Sequence, residues 1–148
     1  MRSGLDKFLK QFDKKFAKSV IYLSQPHSEY GVLSLKDEID IIKKIISENA
    51  EVIIKFHPRD SNEKINLITE IFDTIIHYEK IDLIPMEVLL YNFKFHEVTG
   101  IYSSSLIYSS YIFNQNTSSY IDLVKNYHPK LKSQSKMLKN YFPTINFK

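Results

Sequence analysis

VIYLSQPHSEYGVLSLKDEIDIIKKIISENAEVIIKFHP, residues 20–58, is the stretch that decides the fold. It opens on residues 20–23 and closes on residues 52–54, two short continuous apolar runs that are typical of strands buried on both faces. Between them Ser34 stands at an N-cap position, and apolar residues follow it at helical spacing. A strand, a helix and a second strand in this order predict parallel strands joined by a right-handed crossover.

The same alternation continues on both sides of this unit. Further strands are predicted at residues 74–78, 97–102 and 111–113. Further helices are predicted at residues 65–72, at 85–91 with a proline in the first turn, from Ser103 onward, and once or twice within 116–148. An amphipathic helix over residues 3–18 precedes the first strand. The fold class is therefore α/β, a parallel sheet covered by helices on both faces.

Composition bounds the class of protein. A chain of 148 residues and 17.5 kDa is about one domain, and 43% hydrophobic with 25% charged residues excludes a disordered or fibrous protein. The net charge of +3 is too small and too dispersed to indicate nucleic acid. Without cysteine the chain has no disulfide, thiol nucleophile or thiolate metal site, and its five histidines include no close ligand pair. The longest apolar runs are too short to span a bilayer, and the N-terminus lacks the apolar core of a signal peptide, so we expect a cytoplasmic protein.

Polar residues follow the predicted strands where a parallel α/β sheet binds its ligands, beyond the carboxyl ends. The loops concerned start at Ser24, His57, Lys80 and Ser103. Three glycines in the whole chain, with no GxGxxG and no GxxxxGK[ST], exclude the glycine-rich dinucleotide folds and the P-loop NTPases. Any phosphate must therefore be bound by side chains and helix ends.

His57 is the first candidate at these strand ends. Pro58 favours an extended backbone at His57 and so directs the imidazole out of the strand end, where it can donate to a phosphate near neutral pH. Lys55 and Arg59 would add positive charge around the same anion. A lone His-Pro dipeptide is also typical of an ordinary turn.

Ser103-Ser104-Ser105 is the second candidate, because hydroxyls and unpaired backbone N–H groups coincide at a helix N-terminus and attract anions. Ordinary N-capping would use just one of the three serines. Glu87 can accept hydrogen bonds from ribose hydroxyls, although a carboxylate in a first helical turn is favoured without any ligand. Glu29 can act as a base, or can be a solvated loop residue.

Three motifs occur in order at successive strand ends: Lys55-Phe56-His57-Pro58, Ile84-Pro85-Met86-Glu87 and Tyr102-Ser103-Ser104-Ser105-Leu106. In this order and at these separations they resemble the nucleotide-binding domain of bacterial sialyltransferases. The likeness is greatest to glycosyltransferase family 52, which includes lipooligosaccharide α-2,3-sialyltransferases, and it extends from about residue 20 to about residue 125. The resemblance implies a Rossmann-like domain, the C-terminal half of a GT-B glycosyltransferase, at residues 19–148, with 1–18 a linker or docking helix.

The resemblance also implies roles for single residues. His57 would contact the CMP phosphate and act as general acid, and Ser103, Ser104 or Ser105 would bind that phosphate. Glu87 would hold the ribose hydroxyls. The cytosine pocket would be lined by Lys55, Ile84 and Pro85, with Pro58 beside His57. The catalytic base would be Glu29, with Asp37 as the second candidate.

The function implied is donor binding for inverting, metal-independent transfer from CMP-sialic acid to a galactose-terminated acceptor in a lipooligosaccharide or capsular glycan. A full enzyme of this kind needs an N-terminal domain or a homodimer partner, so the isolated chain is expected to bind CMP weakly and to transfer little sugar. Peripheral association with the inner membrane fits such an enzyme. Two alternatives remain: a hexosyltransferase domain that uses a UDP-sugar, and a non-catalytic α/β interaction domain with an apolar patch around its first helix.

Overall fold

The strands form one parallel sheet with helices on both faces. The computed structural model describes residues 2–125 and 128–148, and within these residues the sheet has six strands in the order β3-β2-β1-β4-β5-β6. The strands are β1 (Val20–Leu23), β2 (Val52–Lys55), β3 (Ile76–His77), β4 (Glu97–Gly100), β5 (Thr117–Ser119) and β6 (Asn146–Phe147). All their pairings are parallel, which confirms the α/β class and is consistent with a Rossmann-like fold.

Two short helices precede β1, and the other helices lie in the connections between successive strands. They are α1 (Arg2–Lys10), α2 (Asp13–Phe16), α3 (Leu35–Glu48), α4 (Asn62–Ile71), α5 (Glu79–Asp82), α6 (Met86–Asn92), α7 (Ser104–Tyr111) and α8 (Pro129–Tyr141), with a 3₁₀ turn at Ile121–Leu123. Ser34 accepts a hydrogen bond from the Asp37 backbone N–H at 3.1 Å, so the predicted cap of α3 is confirmed. Among the described residues, no helix is both long and apolar enough to cross a bilayer.

Side chains of β1 alternate between two hydrophobic layers, one on each face of the sheet. Tyr22 packs with α3 and α4 residues such as Ile42 and Ile68. Ile21 faces the other layer with Phe16 and Leu89, from α2 and α6. Burial on both faces explains why β1 and β2 are continuous apolar runs that the sequence marks clearly.

The predicted helix over residues 3–18 is wrong as a single element. It breaks at Gln11 and Phe12 into α1 and α2. The break turns both helices onto the core, where Phe12 stacks on Phe16 and Phe16 meets Phe93 edge-on with ring centres 4.8 Å apart. The apolar face of this segment is therefore largely covered by the domain itself, with Leu5 left 42% exposed.

The predicted fifth strand at residues 111–113 is also wrong, because Tyr111 ends α7 and Ile112 is its C-cap. The actual fifth strand is Thr117–Ser119, which is buried although every side chain carries a hydroxyl. These hydroxyls are paired: Ser118 donates to Glu97 at 2.8 Å, and Ser119 donates to the Ile101 carbonyl. A hydrogen-bonded polar strand leaves no hydrophobic pattern for the sequence to show.

Three other elements differ less from their predicted bounds. The third strand is shorter than predicted, and Lys80 lies inside α5 instead of starting a loop. Beyond residue 116 the chain adds β6 as well as helix α8, and Lys148 donates its backbone N–H to the Ser119 carbonyl at 3.0 Å. Two residues of strand at the very end of a chain are below what periodicity can detect.

The order of strands reverses between β1 and β4, and there the two backbones approach closely. Leu23 is in register with Gly100 at the carboxyl ends of these strands. A Cβ on Gly100 would lie 3.1 Å from the Leu23 carbonyl oxygen and 3.5 Å from the Leu106 side chain. Backbone held in a sheet cannot retreat easily, so this contact selects glycine.

Replacing Gly100 by Ala should therefore destabilise the domain. We expect Gly100→Ala to lower the free energy of unfolding by about 1 kcal/mol, because overpacking outweighs the reduced flexibility of the unfolded chain. Gly4→Ala in α1, where a Cβ meets nothing within 4 Å, should be neutral or stabilising. Urea unfolding of the two variants measures this, and equal stabilities would contradict the close-approach argument.

Candidate functional site

A cavity of about 310 Å³ opens at the carboxyl ends of β1, β2 and β3, beside the reversal of strand order. Its lining comes from the segments that follow these strands and from the start of α7. The lining residues are Leu23, Ser24, Gln25, Lys55, Phe56, His57, Pro58, Asp82, Leu83, Ile84, Pro85, Met86 and Ser105. Six of the residues predicted from the sequence are thus brought together: Lys55, His57, Pro58, Ile84, Pro85 and Ser105.

His57 is held so that one ring nitrogen is available to a ligand. Its backbone N–H donates to the Asp60 carboxylate at 2.8 Å, and its Nδ1 accepts from the Arg59 backbone N–H at 3.1 Å. An accepting Nδ1 places the proton of the neutral ring on Nε2. Burial lowers the pKa of His57, so the ring is a neutral N–H donor at physiological pH.

The serines at the start of α7 have three different positions. Ser103 is buried and caps the helix, accepting from the Leu106 N–H at 3.2 Å, which is the ordinary capping role. Ser104 is exposed, and Ser105 lines the cavity. The end of α7 therefore offers the cavity one serine and the partial positive charge of a helix N-terminus.

Asp82 is a cavity residue that the sequence analysis missed. Its Oδ1 accepts from the Phe56 N–H at 2.9 Å, and its backbone oxygen accepts from Lys55 Nζ at 2.9 Å. Its Oδ2 lies 2.6 Å from His77 Nε2. The sequence did offer a signal, because Asp82 lies two residues before the predicted motif that begins at Ile84. Asp82 ties the end of β2 to the loop that forms the opposite wall.

Five predicted residues lie outside the cavity lining: Ser103 and Ser104, described above, and Glu87, Glu29 and Asp37. Glu87 is exposed in the first turn of α6, next to the lining residue Met86. Glu29 Oε1 accepts from the backbone N–H and the hydroxyl of Ser61, at 3.3 and 3.2 Å. Asp37 borders a separate cavity that Lys44 and Lys125 also line. Neither base candidate is therefore among the residues that line the cavity with His57.

The ionisation of Glu29 follows from these contacts. Burial alone would raise the pKa of Glu29, but backbone N–H groups, the Ser61 hydroxyl and the charge of Lys64 outweigh burial and lower it. A carboxylate that is already saturated with donors is a weaker base.

Comparison with family models matches residues 5–122 to the alpha-2,8-polysialyltransferase (POLYST) family. The chain belongs to this family. Membership supports a sialyltransferase-type glycosyltransferase function, with a nucleotide-sugar donor and a glycan acceptor. Comparison with curated proteins gives no match. The match supports the resemblance to bacterial sialyltransferases at this level, and glycosyltransferase family 52 stays a prediction.

A buried ion cluster lies beneath the cavity loops of this polysialyltransferase-family domain. Lys64 of α4 is 1% exposed, and its Nζ lies 2.9 Å from both Glu38 and Asp60. It also donates to the Gln25 carbonyl at 2.7 Å, and Glu29 is 3.9 Å away. The ammonium thus joins the loop after β1, helix α3 and the loop after β2 at one point.

Two opposing effects set the protonation of the cluster: burial favours the neutral forms, and pairing between opposite charges favours the charged forms. Burial would lower the pKa of Lys64, but Glu38 and Asp60 outweigh it and raise this pKa. Burial raises the pKa of Glu38, against the attraction of Lys64, and Glu38 also accepts from the Tyr22 hydroxyl at 3.0 Å. The sequence carries a signal for the burial of Lys64. Lys64 lies four residues before the apolar Ile68, so the two residues share one face of α4, and this face is the buried one.

His27 connects the loops that follow β1 and β4. Its imidazole bonds the backbone of Tyr102, and among the described residues its buried Nε2 has no hydrogen-bond partner. Burial, together with the nearby charge of Lys64, lowers the pKa of His27 to about 4. The folded domain therefore holds this ring neutral.

Removing the central ammonium should be costly. We expect Lys64→Met to lower the free energy of unfolding by about 3 kcal/mol or more, because two buried carboxylates lose their partner. Lys36→Met, which breaks an exposed pair with Asp40 at 3.1 Å, should leave the free energy of unfolding nearly unchanged, because solvent screens that pair. Urea unfolding at pH 7 compares the two, and similar losses would show that the cluster is not a structural anchor.

Acid should destabilise the domain through His27. With the pKa at about 4 when folded and about 6.5 when unfolded, stability is full above pH 6.5 and is lost as the pH falls toward 4, by about 3 kcal/mol. His27→Asn keeps a donor without titrating, so its free energy of unfolding should fall less between pH 7 and pH 4.5. His96→Asn, at an exposed histidine, should keep the wild-type pH slope. The idea fails if both variants keep that slope.

Proposed function

We propose that this domain binds the donor nucleotide of an inverting, metal-independent sialyltransferase that uses CMP-sialic acid. The observation that carries the proposal is the cavity itself. It combines a neutral histidine that can donate from Nε2, a buried lysine and the N-terminus of a helix at the carboxyl edge of a parallel sheet. The histidine and the helix N-terminus suit a nucleotide phosphate, the lysine suits the base, and family membership supplies the class of reaction.

Strand order gives the proposed direction of the nucleotide. β1 lies between β2, which leads into His57, and β4, which leads into α7. A phosphate above β1 would therefore meet His57 on one side and Ser105 with the α7 N-terminus on the other. The rest of the nucleotide then runs toward Ile84 and Pro85, beside which Glu87 is proposed to hold the ribose hydroxyls.

In the proposed reaction an acceptor hydroxyl attacks the anomeric carbon of sialic acid while the bond to the CMP phosphate breaks on the opposite face. His57 donates a hydrogen bond from Nε2 to the departing phosphate oxygen. To act as general acid, the ring first takes up a proton at Nδ1 in place of the hydrogen bond from the Arg59 N–H, and then gives the Nε2 proton to the phosphate and becomes neutral again. For Glu29 to accept the proton of the acceptor hydroxyl, its carboxylate has to leave Ser61. Asp37, beside another cavity, would need a larger movement. In a GT-B arrangement the facing domain lines the acceptor side and can supply this base instead.

The proposal extends to the whole enzyme. The acceptor is a galactose-terminated lipooligosaccharide or capsular glycan. The donor-binding domain alone binds CMP or CMP-sialic acid weakly and transfers little or no sialic acid. The proposed transfer takes place in the cytoplasm, at the face of the inner membrane. No step draws on a metal ion, because the helix N-terminus and His57 meet the phosphate charge.

Titration with CMP tests the site. We expect amide shifts in the cavity loops, and we expect His57→Ala to weaken CMP binding about tenfold, the loss of one hydrogen bond to a charged group. The control is His96→Ala, an exposed histidine just before β4, which should leave the affinity unchanged.

Two outcomes would redirect the assignment. Shifts with UMP but none with CMP would favour the UDP-sugar transferase. No response to either nucleotide at millimolar concentration would remove the nucleotide site and favour an interaction domain.

A further inference from the structure

Two charged side chains on the β3 side of the cavity have no part in the phosphate chemistry. Lys55 ends β2 and Asp82 ends α5, whereas Ser105 follows β4. Adjacent strands are about 4.8 Å apart, and β3 is three strands from β4, so the end of β3 is about 14 Å from the end of β4. Lys55 ends β2, but its Nζ lies toward β3 because it donates to the Asp82 carbonyl at 2.9 Å. With a phosphate near α7, the Lys55 and Asp82 end receives the base.

Lys55 presents donors only. The residue is 8% exposed, and its ammonium uses one hydrogen on the Asp82 carbonyl at 2.9 Å. An ammonium has three hydrogens and no acceptor, so the others serve whatever lies in the cavity. Burial and the hydrogen bond to the Asp82 carbonyl hold the ammonium in place and so limit the directions of its remaining donors.

Asp82 presents acceptors only, and they too are fixed. The Phe56 N–H holds Oδ1 at 2.9 Å, and His77 Nε2 donates to Oδ2 at 2.6 Å. A carboxylate oxygen accepts two hydrogen bonds, so each keeps one acceptor position. Phe56, Ile84 and Met86 supply apolar walls between which a planar base can lie.

We propose that Lys55 and Asp82 together select cytosine over uracil, an inference that rests on the proposed nucleotide site. Cytosine offers an acceptor at N3 and a donor at its N4 amino group, which match the Lys55 ammonium and the Asp82 carboxylate. Uracil reverses both groups, with a donor at N3 and an acceptor at O4. Its N3–H would face an ammonium and its O4 a carboxylate, so both contacts would be repulsive.

The first test uses the unaltered protein and changes the ligand. We expect CMP to bind at least about 30-fold more tightly than UMP, since a matched base edge is worth about 1–3 kcal/mol per pair. N4,N4-dimethyl-CMP keeps N3 but has no N4 hydrogen, and it should bind about tenfold more weakly than CMP. Equal affinity for CMP and UMP would overturn the inference while leaving a nucleotide site in place.

The second test changes the protein. Asp82→Asn replaces one acceptor by an amide donor. The affinity for CMP should therefore fall about tenfold, the affinity for UMP should rise or stay unchanged, and the ratio of the two affinities should fall toward one. Glu79→Gln is the matched control, an exposed acid in the same helix, and should keep the wild-type ratio. A ratio unchanged in Asp82→Asn would overturn the role of Asp82.

Lys55→Met covers the case in which Asp82→Asn does not fold. Lys55→Met should weaken the binding of CMP more than the binding of UMP, because uracil has no acceptor at N3 for the ammonium. Equal weakening would show that Lys55 serves the phosphate and would overturn base selection by the pair. The absence of binding by both nucleotides to the unaltered protein is a separate result, which removes the proposed function together with this inference.

Discussion

One buried ammonium holds the site end of the domain in place. Lys64 reaches Glu38, Asp60 and the Gln25 carbonyl at once, and Asp60 in turn accepts from the backbone of His57. Loops that leave adjacent parallel strands have no ladder to align them, so their relative position has to come from elsewhere. Here a charge that is too costly to leave unpaired fixes them, because any displacement of one loop leaves a buried ion without its partner.

The βαβ unit at residues 20–58 was predictable because its strands are buried on both faces and its helix carries a serine cap, features that the sequence records directly. β5 was not, since Thr117–Ser119 is buried through paired hydroxyls rather than through apolar surface. Its stability depends on partners such as Glu97, which lie far along the chain. Local pattern carries no information about such distant pairing.

The residues of the candidate site also differ in whether the sequence could predict their positions. His57 and Ser105 could be placed from the sequence because each follows a strand or begins a helix, and these positions meet at one edge of the sheet. The base candidate Glu29 could not be placed in this way, because a carboxylate in a loop pairs with the nearest donors, here Ser61 and Lys64. Asp82 was overlooked although it contacts Lys55, Phe56 and His77.

The strand order also sets a sequence of events as the chain is made. β1 is central, and β2 closes one of its edges soon after it is synthesised, but its other edge waits for β4 at Glu97–Gly100. During that interval an apolar strand has an unpaired edge that can pair with another chain. The early half of this domain is therefore the stage at which a ribosome-associated chaperone would have most to protect.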